Sequence, residues 1–262
     1  MYFSQIDKQS IFAVANYWEK LGKDAVCLEV NKSGQIANFS SSPNDLVVWQ
    51  VANGETGIIQ HNPEVAASIF ADATSSGVDY LPKFDYQTAL FDSKSWQGPS
   101  GLGVLVIKKS AQWSNPLPHN DYVRVPNTFS LPLVLASAVA LEAYVLEKDK
   151  VLGFKNLLLT QLKQSPIKFE SPANDETLAK YLNLIFPKLE ADRLVLALQD
   201  AGFTVDSGSA CKSADMQPSH VLAAMKYPTS GSIRITFHPQ ITKDKVVELG
   251  KAIVANVEKL TN

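Results

Sequence analysis

Cysteine is scarce in this chain, neither sign of charge is in marked excess, and no apolar run is long. Cys27 and Cys211 are its two cysteines among 262 residues. Neither belongs to a Cys-x-x-Cys pair, so a disulfide framework, a zinc site and dithiol redox chemistry are all excluded as organising principles. Lys and Arg number 24 against 26 Asp and Glu, a formal charge of 24 − 26 = −2. Without a basic run there is no footprint for neutralising a phosphate backbone, and nucleic acid drops out as a partner. The most apolar stretch, Leu131 to Leu146, is too short to cross a bilayer of about 30 Å. Asp7, Lys8 and Gln9 interrupt any signal-peptide core behind Met1. These absences lead us to expect a cytoplasmic protein with no membrane or nucleic-acid partner. The 45% hydrophobic and 19% charged composition supports a full core, and no internal repeat points to a solenoid.

Ile11, Val14, Ala15, Trp18 and Leu21 recur at helical spacing, and Gly22 supplies a left-handed stop. A strand is expected at 25–30, where Cys27 reads as a small core hydrophobe. The run Leu46-Val47-Val48-Trp49-Gln50-Val51 suits a strand buried on both faces of a parallel sheet. Further strands are expected at 68–72, 88–91 and 102–107, the last two joined by a loop over 93–101. Residues 132–146 predict a long, largely buried helix with Val134, Ala138, Leu141 and Val145 on its core face. Beyond it come strands near 167–169, 182–186, 203–205 and 232–237, a helix over 189–201 ended by Gly202, a short helix after Pro218, and a closing helix with the stripe Val246, Leu249, Ile253, Val257 and Leu260. The order of elements predicts an α/β unit over 1–146, including a connecting helix at 132–146, and a smaller α+β unit over 147–262.

Several segments carry chemistry-bearing residues. Asp206 to Val221 reads DSGSACKSADMQPSHV, and Gly231 to Thr236 reads GSIRIT. Earlier in the chain stand NGETGIIQ at Asn53 to Gln60, Asp72-Ala73-Thr74-Ser75, GPSGLG at Gly98 to Gly103, and the Arg124 to Thr128 segment. Each has a plain alternative. Cys211 can be an ordinary loop thiol, Asp72 can cap the turn that follows it, and Arg234 can be a solvated sheet residue. His220 is expected to face solvent, and Trp18 and Trp96 to be packing residues.

Taken in order, these segments resemble the cysteine desulfurases, class V members of the fold-type-I pyridoxal phosphate enzymes. The resemblance spans nearly the whole chain. It implies a fold-type-I large domain, mainly a parallel sheet with helices, followed by a small α+β C-terminal domain. It also implies pyridoxal 5'-phosphate as cofactor, L-cysteine as substrate and a sulfur-acceptor protein as partner. A homodimer, or a heterodimer with an intact homologue, is the implied assembly, and iron–sulfur or thio-cofactor synthesis the implied destination of the sulfur. In the family's chemistry a lysine holds the cofactor, a carboxylate keeps its ring nitrogen protonated, and a cysteine thiolate takes the substrate sulfur as a persulfide with release of alanine. By this resemblance Cys211 is the nucleophile, Asp72 the ring-nitrogen partner, Arg234 the substrate-carboxylate fork and Lys94 the amine. Asn53, Ser75, Ser93 and Thr128 complete the cofactor-binding set.

The chain departs from the family pattern at informative places. Aligned on Gly98-Pro99, the family's lysine falls on Ser95, and Lys94 stands where a histidine precedes it. A one-residue shift of this kind turns a side chain to the opposite face of a regular strand. Lys8 stands where the family stacks a histidine on the cofactor ring, Gly54 replaces an asparagine, and Ser75 replaces a glutamine. The resemblance further implies roughly ninety residues ahead of Met1, including the turn that holds the cofactor phosphate at a helix N-terminus. Three readings follow: a cysteine desulfurase-like enzyme, a catalytically degenerate paralogue that binds an intact desulfurase, or a class V enzyme of another reaction in which Cys211 is a relic.

Overall fold

The computed structural model describes residues 1–111, 113–114, 130–207 and 218–261. Nine strands form two sheets among them. The larger contains β1 (Tyr2–Ser4), β2 (Val26–Leu28), β3 (Leu46–Gln50), β4 (Ser68–Asp72), β5 (Thr88–Asp92) and β6 (Gly103–Ile107) in the order β2-β1-β3-β4-β5-β6. All neighbours are parallel except β5 and β6, which run antiparallel with Asp92 opposite Gly103. The fold is α/β with a mainly parallel sheet, as expected. β3 and β4 sit at its centre because their branched and small apolar residues suit burial on both faces: Val47, Val48, Trp49, Ile69 and Ala71 are all buried. β1 was not anticipated, since three residues are too few to show an alternation.

Helix α1 (Gln9–Lys20) closes on Gly22 at φ 75°, as its sequence required. The smaller sheet has the antiparallel order β7-β9-β8, from β7 (Tyr181–Ile185), β8 (Asp206–Ser207) and β9 (Ser232–Thr236). Helices α3 (Phe154–Lys163), α4 (Ala191–Asp200) and α6 (Lys243–Thr261) share one core with it, built on Leu158, Leu162, Leu184, Leu194, Ile233 and Ile253. The α6 stripe is buried at Val246, Leu249, Ile253 and Val257, with Leu260 packed beside it. The short α5 (His220–Ala224) is capped by Ser219, whose hydroxyl accepts from the Leu222 N–H at 3.1 Å.

Four expectations are corrected. Cys27 is exposed, because β2 is the edge strand of its sheet, where Val26 beside it is exposed as well. Helix α2 (Leu131–Glu147) exists, but it is not largely buried. Ala138 and Val145 face solvent, and Ser137 and Tyr144 face inward instead. The helix is apolar all round, so its composition selects no face; polar partners do. Trp96 Nε1 donates to Ser137 Oγ at 3.1 Å, and the Tyr144 hydroxyl donates to Asp79 at 3.0 Å. Residues 167–169 form no strand. Only an isolated antiparallel bridge pairs Glu170 with Ile185, and the strand expected at 203–205 lies at Asp206–Ser207.

The two sheets meet at the 53–59 turn. The Leu178 N–H donates to the Gly57 carbonyl at 2.8 Å, the Ile59 N–H to the Glu176 carbonyl at 2.9 Å, and Ile58 bridges to Thr177. Gly57 adopts φ 80°, and a Cβ there would already touch Tyr181 at 3.0 Å, so glycine is required on both counts.

Candidate functional site

In a parallel sheet the carboxyl ends of neighbouring strands share one edge, where ligands of open α/β folds bind. Here that edge collects Asp7 and Lys8 after β1, Asn53 after β3, Asp72 to Ser75 at the end of β4, and Ser93 to Ser95 after β5.

Asp72 is buried, and its Oδ1 accepts from the Thr74 N–H at 2.9 Å and from the Thr74 hydroxyl. The turn-capping role is therefore realised on one oxygen. Lys8 Nζ donates to the same Thr74 hydroxyl, so an ammonium is held one hydroxyl away from the Asp72 carboxylate. Asp7 is fully buried beside it. Its Oδ2 accepts from the Ser4 N–H at 2.7 Å, and its Oδ1 has no partner among the described residues. Burial pushes the Asp7 carboxyl up to about 7, against the Ser4 hydrogen bond, which lowers it; the nearby Asp72 raises it further and Lys8 lowers it.

Asn53 is fully committed to the fold. Its amide donates to the Ile6 carbonyl at 3.1 Å and to Gln50 Oε1 at 3.0 Å, while its Oδ1 accepts from the N–H groups of Glu55 and Thr56, both at 2.9 Å. Ser75 is buried against Gly54, where a Cβ would lie 2.6 Å from its hydroxyl oxygen. Its carbonyl accepts from the Tyr181 hydroxyl at 3.4 Å.

Residues Ser93–Trp96 form a 3₁₀ turn, started by Asp92, whose Oδ1 accepts from the Lys94 N–H at 2.9 Å. The turn decides which side chain points where. Ser93 is buried beneath Gly98, where a Cβ would collide with its hydroxyl, and that hydroxyl has no partner among the described residues. Lys94 points outward: its side chain is 62% exposed and pairs with Asp92 at 3.4 Å. Ser95 takes the inward place beside Gly77, with its hydroxyl donating to the Asp92 carbonyl at 2.7 Å.

Arg234 on β9 lies directly across from Asp206 on β8. Its Nη2 pairs with Asp206 Oδ2, and its Nη1 donates to the Gly54 carbonyl at 3.1 Å, which ties the smaller sheet to the edge of the larger one. Glu55 adds a second carboxylate here; its Oε1 accepts from the Ser219 hydroxyl at 2.7 Å. Burial raises its pKa, although Ser219 and Arg234 pull the other way. His220 does not face solvent as expected. Its Nε2 donates to the Asp7 carbonyl at 2.8 Å, its Nδ1 sits 3.1 Å from Gln9 Nε2, and its ring meets Phe12 edge-on at 5.6 Å. Because a carbonyl only accepts, Nε2 carries the hydrogen.

The strand ends thus bring Asn53, Asp72, Ser75, Ser93 and Lys94 to one region, and Arg234 reaches it from the smaller sheet through Gly54. Cys211, Thr128 and Arg124 lie outside the described residues. Sequence reasoning assigned no role to Asp206, Glu55 or Lys180. Asp206 stands directly ahead of the Ser-Gly-Ser-Ala-Cys run, but its partner is a matter of strand register.

No family model matches the chain. By sequence it is 25% identical over 284 residues to the cysteine desulfurase IscS of Methanosarcina thermophila, covering 99% of this chain and 70% of that one. The putative cysteine desulfurase IscS 1 of Bacillus subtilis is 28% identical, covering 95% of this chain and 73% of its own length. The chain is a relative of the cysteine desulfurases. The structure of a NifS-like protein from Rickettsia africae superposes with a TM-score of 0.79 at 20% identity, covering 98% of this chain and 75% of that one. The Escherichia coli cysteine desulfurase CsdA superposes with a TM-score of 0.73 at 16% identity, over 99% and 72% of the two chains. The desulfurase fold is therefore present at the level of both sheets. At this relative's strand edge, the described residues as folded fit a lysine-linked pyridoxal phosphate poorly: Lys94 faces solvent, an ammonium from Lys8 approaches Asp72 through Thr74, and the Asn53 amide is spent on the Ile6 carbonyl and Gln50.

Proposed function

We propose that this chain is a desulfurase-like protein that does not itself turn over cysteine and serves as the binding partner of an intact desulfurase. The observation that carries this reading is the Ser93–Trp96 turn, which gives the inward position to Ser95 and sends Lys94 to solvent. A hydroxyl cannot form the imine that holds a pyridoxal cofactor. Support for the partner role comes from apolar surface: Leu135 and Val139 on α2 and Val104 to Val106 on β6 are exposed. A cytoplasmic setting belongs to the same reading.

Incubating the pure protein with stoichiometric pyridoxal phosphate, desalting it to let transient surface imines hydrolyse, and only then reducing with sodium borohydride tests it. The expected result is no mass increase on any lysine and no visible band of a bound cofactor. A borohydride-stable adduct that disappears in Lys94→Ala would overturn the proposal.

A second reading is favoured by Asp72, which keeps a buried carboxylate at the end of β4. In that reading the protein is a cysteine desulfurase working with pyridoxal phosphate, as a homodimer or with a homologous chain. Cys211 carries the persulfide to an acceptor protein for iron–sulfur cluster assembly. Alanine released from cysteine, and lost in Cys211→Ala, would favour it.

A further inference from the structure

The Asp206 and Arg234 pair is an unusual use of a guanidinium. Strand β8 has two residues, and its register against β9 sets Asp206 opposite Arg234 with both side chains on one face of the sheet. Both terminal nitrogens of the fork are engaged internally, Nη2 by Asp206 and Nη1 by the Gly54 carbonyl. A planar fork presents two parallel N–H groups that suit an incoming carboxylate. No such group can approach this one without displacing Asp206. Glu55, packed nearby and held by Ser219, adds a second negative charge against any anionic ligand.

The pair is also incompletely satisfied. Arg234 Nε and Asp206 Oδ1 are both buried and have no partner among the described residues. A side chain selected purely to stabilise the sheet would leave fewer such atoms, because each unpaired buried polar group costs about 1–3 kcal/mol.

We infer that Asp206 is a built-in competitor for carboxylate ligands at Arg234, and that this residue decides whether the site accepts an amino acid. Its local concentration at the fork follows from the fixed β8–β9 register, and a tethered competitor acts at an effective concentration on the order of millimolar or more. A carboxylate ligand must therefore outcompete it, and its apparent affinity falls accordingly. The inference extends the proposed reading to the substrate end of the site. Its test uses no cofactor, so its failure and a failure at Lys94 are distinguishable.

The experiment is calorimetric titration of L-alanine, a non-reactive amino acid, into the wild-type chain, Asp206→Asn, Asp206→Ser, and Asp206→Asn combined with Arg234→Gln. Asp206→Asn is expected to bind alanine at least tenfold more tightly than wild type, with Asp206→Ser gaining likewise and the double variant losing the gain. Equal affinity in wild type and a folded Asp206→Asn would overturn the inference, as would a gain that survives Arg234→Gln. Unfolding of both single variants would also overturn it, by showing that the pair is required for the fold.

Discussion

Lys180 holds Asp79 at 2.5 Å across the junction of the two sheets, and its ammonium also donates to the carbonyl of Ser95 at 3.1 Å. The lysine side chain is 5% exposed and the aspartate 16%, so the pair is shielded from screening by salt. Burial pulls the Lys180 pKa down, and Asp79 opposes the shift. An amine does lie beside Ser95, therefore, but it arrives from the smaller sheet and is occupied in holding the two sheets together.

Removing one partner of such a pair leaves a buried charge uncompensated. Lys180→Met is expected to lower stability by about 3–5 kcal/mol. Adding Asp79→Asn to that variant should recover part of the loss. Urea denaturation of the two variants checks both statements, and a loss no larger than that of an exposed lysine would contradict them.

The Asp7 carboxyl gives stability a definite pH dependence. Its folded pKa of about 7 lies above the ordinary value of 3.8, so between those limits the folded chain retains a proton that the unfolded chain has released. Its contribution is fully present at low pH and is lost as pH rises through about 7. Asp7→Asn keeps an acceptor for the Ser4 N–H and cannot ionise. Relative to wild type, the variant should therefore gain stability on going from pH 5 to pH 8, by an amount of order a few kcal/mol. Urea midpoints at the two pH values measure it, and a constant difference would refute the assignment.

Two glycines with similar backbone angles should respond differently to a methyl group. Gly231 has φ 72°, and a Cβ there would collide with the Phe186 carbonyl and lie 2.8 Å from that of Leu189. Gly22 has φ 75°, and a Cβ there would meet nothing within 4 Å among the described residues beyond its chain neighbours. Gly22→Ala should cost roughly 1–2 kcal/mol, from backbone strain alone. Gly231→Ala should cost clearly more, because both obstacles are backbone. Thermal melts of the two variants provide the comparison.

Trp96 fastens α2 to the 3₁₀ turn through its indole N–H on Ser137. Trp96→Ala removes a buried ring and is expected to destabilise by about 3–5 kcal/mol, against about 1 kcal/mol for Ser137→Ala. Amide hydrogen exchange should show the larger change along α2 in the tryptophan variant. Equal effects would mean that the hydrogen bond, rather than the ring, secures the helix.

Much of this fold was legible because burial leaves a pattern. The run at 46–51 and the α6 stripe each allow one reading, and the structure agrees with both. Cys27 misled because an apolar run does not reveal whether its strand is central or at an edge. Helix α2 misled because a sequence apolar all round has no preferred face, and Trp96 and Asp79 select the polar one. The displacement from Lys94 to Ser95 was legible as a departure from the family pattern, and the 3₁₀ turn is its physical consequence. Asp206 was invisible as a partner of Arg234, since 28 residues separate them and only the pairing of β8 with β9 brings them face to face.

The outermost strand of the larger sheet has a practical consequence. Val104, Leu105 and Val106 are consecutive and all exposed, so β6 offers greasy side chains on both of its faces. Among the described residues only β5 pairs with it, which leaves a row of backbone donors and acceptors as a template for another strand. A sample of the isolated chain should therefore scatter light increasingly as it is concentrated, and a lysine at position 105 should keep it clear.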